Sequence, residues 1–87
     1  MFTVLINKRS QKNIETMPSV SKDMMALLID DLKNKGPVLK DWSHFSSLGQ
    51  GKYHCHLSYK WVACWKHEKG TILIEVYYAG SRENAPY

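Results

Sequence analysis

Residues 53–65 read YHCHLSYKWVACW. Aromatic, β-branched and thiol side chains crowd this stretch, and no glycine or proline breaks it. It favours two short strands joined by a tight reversal. With the reversal centred on Tyr59-Lys60, residues whose numbers sum to 119 face each other. Side chains alternate strictly along a strand, so one register assigns every residue to a face. One face then holds Tyr53, Cys55 and Leu57 against Val62, Cys64 and Lys66 and suits a core. The other holds Lys52, His54, His56 and Ser58 against Trp61, Ala63, Trp65 and His67. It mixes cations, imidazoles and indoles, which no core requires. Cys55 and Cys64 face each other in this register, close enough for a disulfide, although a reduced buried pair suits a cytoplasmic chain better.

The flanking segments complete a sheet with helices on one side. Phe2 to Ile6 is β-branched and aromatic and predicts an opening strand. Asn7 can cap a short helix from Lys8 to Thr16, which Pro18 stops. Ser19 or Ser21 can cap a second helix reaching Lys35, where Gly36 and Pro37 form a stop. Val20, Met24, Leu27, Leu28 and Leu32 make one stripe of that helix at 3.6-residue spacing. Val38 to Gln50 has no clear period and reads as a long connection, with Trp42 and Phe45 pinning it to the body. Thr71 to Ala79 (TILIEVYYA) is apolar on both sides and predicts a central strand. The order is strand, helix, helix, strand, strand, strand. It implies a single α+β domain over residues 1–87, with two N-terminal helices packed on one face of an antiparallel sheet.

Charge and targeting signals narrow the function classes. Twelve Lys/Arg against eight Asp/Glu give a net charge of +4, which permits a polyanionic partner without requiring one. Arg9 and Arg82 are the only arginines, so either can hold a position where forked recognition of phosphate matters. No apolar run approaches the ~20 residues of a membrane span, and the N-terminal charges follow the apolar run, the reverse of a signal peptide. The expected location is the cytoplasm, with no membrane partner.

His54 and His56, two apart on a strand, project from one face, with Lys52 before them. Imidazoles near neutral pH suit general acid and base roles. Two of them beside cations suit metal-free RNA cleavage: one deprotonates a ribose 2′-OH, another protonates the departing 5′-oxygen, and cations neutralise charge growing on phosphorus oxygens. Strand histidines are also common as ordinary surface or hydrogen-bonded residues. A zinc site from His44, His54, His56 and a cysteine is disfavoured, because Cys55 points away from both strand histidines and no C-x-x-C or H-x-x-x-H spacing is present. Trp61 and Trp65, on the histidine face in this register, are candidates for base stacking.

The element order resembles the RelE/ParE superfamily of bacterial toxin–antitoxin toxins, and details resemble its YafQ- and HigB-like branches. KRSQKNIETMP after the first strand, KDWSHFSSLGQGKYHCHLSYKWVACWK, and the ending VYYAGSRENAPY carry the resemblance. It implies a RelE-like fold and a metal-independent endoribonuclease that needs no cofactor and cuts mRNA at the ribosomal A site. It further implies a cognate antitoxin as partner. His44 and His56 match positions where YafQ-like members carry catalytic histidines. His54 and Lys52 lie where related toxins bind the RNA backbone or transfer protons. Arg82 stands where the tail usually has histidine, Glu83 follows as in the "HE" tails, and Tyr87 lies near a terminal aromatic that orients a base. The resulting catalytic set is His44, His54, His56, Arg82 and Tyr87, and the RNA-binding set is Lys52, Lys60, Trp61, Trp65 and Glu83. Arginine cannot shuttle protons at neutral pH, so proton transfer falls to the histidines. Two other readings remain: a ParE-like inhibitor of DNA gyrase, and a basic RNA-binding module without catalysis.

Overall fold

Apolar faces on strands and helices of one short chain are buried together in two layers. A computed structural model describes residues 1–87. It contains β1 (Thr3–Ile6), α1 (Lys8–Thr16), α2 (Ser19–Lys35), β2 (Ser46–Gly49), β3 (Lys52–Ser58), β4 (Trp61–His67), β5 (Leu73–Ser81) and a 3-10 turn over Arg82–Asn84. The sheet order is β1-β5-β4-β3-β2. Four strands form an antiparallel meander, and β1 joins β5 in parallel, so the sheet is mixed rather than wholly antiparallel. The fifth strand, β2, lies inside the segment expected to be an irregular connection. Its signal is the turn Gly49-Gln50-Gly51, all three with positive φ, which reverses the chain into β3. Gly51 cannot be replaced there, because a Cβ would collide with the His67 carbonyl.

Both helices form over the expected spans. Asn7 caps α1, its Oδ1 accepting from the Ser10 amide at 2.8 Å. Pro18 occupies the capping position before α2 and supplies no side-chain cap, and neither Ser19 nor Ser21 fills that role. Gly36, at φ 90°, ends α2 with its α-carbon against the Phe2 ring, where a Cβ would lie 3.0 Å away. The buried stripe of α2 is Ser21, Met25, Leu28 and Leu32, while Val20 and Leu27 remain 65% and 56% exposed. Apolar residues on both sides of this helix fit two adjacent stripes equally well. Ser21 is buried through a 2.7 Å hydrogen bond with Ser58, and that pairing favours the rotation observed.

The core lies between the helices and one face of the sheet. Met25, Leu28 and Leu32 meet Cys55, Leu57, Ala63, Trp65, Ile74 and Val76 there. α1 rests against β5 beyond the end of β1. Its Asn13 amide donates to the Ala79 carbonyl at 2.9 Å, and the preceding Asn7 amide donates to Tyr77 at 2.9 Å. These amides satisfy strand carbonyls that β1 is too short to reach. The long segment before β2 is pinned as expected: Trp42 donates to Asp31 at 2.8 Å, and Phe45 stacks on Tyr53.

Two bulges decide which side chains face away from the helices. From Lys52–Lys66 to His56–Val62, paired residue numbers sum to 118 rather than 119, and the pairing shifts only beyond Leu57, where Ser58 meets Trp61. This single extra residue flips every β4 side chain relative to the expected register. Trp65 and Ala63 therefore enter the core, and Val62 and Cys64 join the histidines. The cysteines pair with Ala63 and His54 instead of each other, and both are free and buried. A second bulge leaves Tyr77 extra in β5, because Cys64 pairs with Tyr78 and Trp65 with Val76.

Candidate active site

His54 and His56 project from β3 on the face away from the helices, with ring centroids 5.8 Å apart. His44 reaches them from the turn before β2. The His56 amide donates to the Ser43 carbonyl at 2.8 Å, which ties that turn to β3. His44 itself has φ 55°, and its ring stacks on His56 at 4.3 Å with planes 21° apart. Tyr87 lies on the other side, its ring 4.3 Å from that of His54. Arg82 begins the 3-10 turn, and its amide donates to the Lys60 carbonyl at 2.7 Å. That bond ties the β3–β4 reversal to the tail and brings the guanidinium close enough to His56 to act on it electrostatically. The Arg82 guanidinium sits 5.5 Å over the Tyr59 ring.

Two of the three imidazoles share a hydrogen bond with a serine hydroxyl. Ser46, paired with His54 across β2 and β3, shares a 2.8 Å hydrogen bond with its Nδ1. Ser43 shares one of 2.9 Å with Nδ1 of His44. These bonds fix ring orientation and leave Nε2 as the nitrogen open to other partners. The affinity of His54 for protons is lowered mainly by burial, opposed by hydrogen bonding to the Ser46 backbone and reinforced by the charge of His44. His56 is lowered by burial, then by His44, His54 and Arg82. Both imidazoles are therefore neutral at neutral pH and able to accept a proton. The Tyr87 phenol is raised, chiefly by burial, and stays protonated.

The thiols take no part. Burial pushes both Cys55 and Cys64 up to about 12, so neither supplies a thiolate near neutral pH. The Tyr77 phenol lies close to Cys64 beneath the site, and burial pushes it up to about 12 as well. Tyr77 carries the Lys52 ammonium 5.9 Å over its ring. No three His, Cys, Asp or Glu side chains are arranged to hold a metal ion.

The structure thus brings together His44, His54, His56, Arg82 and Tyr87, with Lys52 on the same face and Lys60 at the adjoining turn. Glu83 is exposed in the 3-10 turn and makes no ion pair. Trp65 is corrected: it is fully buried, donates to the Pro37 carbonyl at 2.9 Å and cannot stack on RNA. Trp61 also turns to the helix side and packs on the core's margin, half-buried. The same bulge moves Ser58 off the histidine face and onto Ser21. Ser43, Ser46, Tyr59 and Tyr77 were not foreseen. The Gly-Gln-Gly turn was the one available signal for Ser46, since it implies a strand passing beside His54.

No family model and no curated protein matches the sequence. Solved structures do match it in fold. A chain of the archaeal RelE–RelB complex from Pyrococcus horikoshii OT3 superposes with a TM-score of 0.81 at 19% identity, covering 97% of this chain and 98% of that one. A chain of the E. coli DinJ–YafQ complex gives 0.76 at 13% identity over the full length of both. The isolated E. coli RelE toxin gives 0.73 at 10% identity, covering 99% and 89%. At these identities the likeness is one of fold: two helices on a five-stranded mixed sheet, as in RelE.

Proposed function

We propose that this RelE-fold chain is the toxin of a toxin–antitoxin pair and an endoribonuclease that cleaves mRNA in the ribosomal A site. The observation that supports it is the convergence of three imidazoles, an arginine and a phenol on the uncovered side of the sheet. A non-enzymatic gyrase inhibitor or a passive RNA-binding module has no need of such a cluster.

The reaction follows from these groups. A neutral imidazole of the His54/His56 pair takes the proton from a ribose 2′-OH, whose oxygen attacks the adjacent phosphorus. The bond from phosphorus to the 5′-oxygen breaks, and the proton taken from the 2′-OH returns through the imidazoles to that oxygen. The products are a 2′,3′-cyclic phosphate and a 5′-OH. Arg82 lies beside His56 and offsets negative charge on the phosphorane. Tyr87, against His54, offers a face for the base next to the cleaved bond. Lys52 and Lys60 hold neighbouring phosphates. The cognate antitoxin covers the sheet or its basic face and keeps the site from RNA, in keeping with solved neighbours that are complexes with RelB and DinJ.

His56→Ala is expected to abolish mRNA cuts in a translating extract, read by primer extension, while the circular-dichroism spectrum stays native. Unchanged cleavage sinks the catalytic assignment of His56. DNA supercoiling by gyrase should proceed normally with the wild-type protein present, and its inhibition would favour the ParE-like alternative.

A further inference from the structure

The proposed chemistry leaves Arg9, and the groove it lines, unused. Where β1 ends, α1 packs along the edge of β5, and a groove of about 640 Å³ opens beside them. Arg9 and Asn13, one helical turn apart, line one wall. Tyr77, Tyr78 and Trp61 contribute to the rest. Arg9 is the only charged side chain lining the groove, and no carboxylate pairs with it. At its end this groove meets a smaller one of about 190 Å³ through two shared residues, Trp61 and Ser81. The smaller groove carries Tyr59, Lys60 and Arg82, with the Glu83 carboxylate at its side and the two cations outnumbering it. The two grooves lie side by side along a line from Arg9, past the shared Trp61 indole, to Arg82, whose charge acts on His56. Cations and aromatic surfaces succeed each other along it.

We infer that this track seats single-stranded RNA flanking the cleaved phosphate, with Arg9 on a backbone phosphate and bases against Trp61 and Tyr77. The inference rests on the nuclease reading and extends it to a second contact region remote from the histidines. Aromatic faces take up bases only when these are unstacked, and a fork of guanidinium donors matches phosphate oxygens. A lone small anion needs neither the length of the track nor its aromatics.

The test is fluorescence anisotropy with a labelled single-stranded RNA dodecamer carrying 2′-O-methyl riboses, which blocks cleavage. Arg9→Gln, an exposed helix position, should weaken binding about tenfold and reduce the slope of log affinity against log salt by about 0.7, with the melting temperature unchanged. Arg9→Lys should recover most of the slope and part of the affinity. Equal affinity and slope for wild type and Arg9→Gln overturn the track, as does absence of binding by wild type. If AMP loses affinity by the same factor as the dodecamer, the groove is a mononucleotide pocket and the extended track is wrong. The two readings separate cleanly. His56-dependent cleavage with a silent Arg9→Gln leaves the nuclease and removes the track. An Arg9 effect on binding without wild-type cleavage leaves the track and removes the nuclease.

Discussion

Trp65→Phe is expected to destabilise the domain by about 2–4 kcal/mol without touching RNA recognition. The indole is fully buried, stacked near Tyr53 and Phe45, and its Nε1 donates to the Pro37 carbonyl at 2.9 Å. Phenylalanine is smaller by roughly 40 Å³, which at about 24 cal/mol per Å³ of residual cavity contributes ~1 kcal/mol. The carbonyl left without its donor contributes about 1–3 kcal/mol more. In a domain of this size each kcal/mol moves the melting temperature by about 4–8 °C, so a fall of roughly 8–32 °C should appear in a thermal melt. At a temperature where both proteins are folded, RNA affinity should be equal. A melting temperature within about 3 °C of wild type, together with weakened RNA binding, refutes the reasoning and returns the indole to the histidine face.

Two other expectations concern the imidazoles. Ser46→Ala removes the partner of Nδ1 on the buried His54 and should cost about 1–3 kcal/mol of stability. Cleavage should fall, Ser46→Thr should restore it, and the ¹⁵N shifts of the His54 ring should report a changed tautomer balance only in the alanine variant. The second is a pH dependence. Because the folded-state values of His54 and His56 lie below the ordinary imidazole range, the unfolded chain binds more protons as pH falls through that range. Stability contributed by these groups is fully present above about pH 6.5 to 7 and is lost on acidification toward their lowered values. A melting temperature that rises between pH 7.5 and 5.5 would contradict this sign.

Much of the architecture was legible because it rests on local signals. Asn7, Pro18, Gly36 and Pro37 bracket the two helices, and the apolar run of β5 marks a central strand. The proximity of His54, His56 and Lys52 follows from alternation within β3 alone and needs no partner strand. What fails is whatever depends on counting across strands. The extra residue near Leu57 has no signature in residue type, yet it reverses all of β4, so Trp65 and Cys64 exchange sides. The stripe on α2 fails for a related reason: Val20 and Leu27 satisfy the same period as Ser21 and Met25, and only a polar pairing with Ser58 selects between them. The positions of His44 and Arg82 come from backbone bonds to His56 and Lys60 across long sequence gaps, which no spacing rule contains.

The parallel pairing of β1 with β5 has a consequence for how the chain acquires its shape. Contacts such as that between Asn7 and Tyr77 join residues 70 apart in sequence, whereas β3, β4 and β5 pair with their immediate neighbours. Long-range closure is the slow part of building such a sheet. A chain synthesised from its N-terminus at about 5–20 residues per second produces β1 roughly 4–14 s before its partner strand. Throughout that interval Val4 and Ile6 have no sheet to cover them. The meander over β3 to β5 can pair without β1, whereas β1 can dock only after β5 exists, and Phe2 packs on Gly36 at the end of α2 once it does.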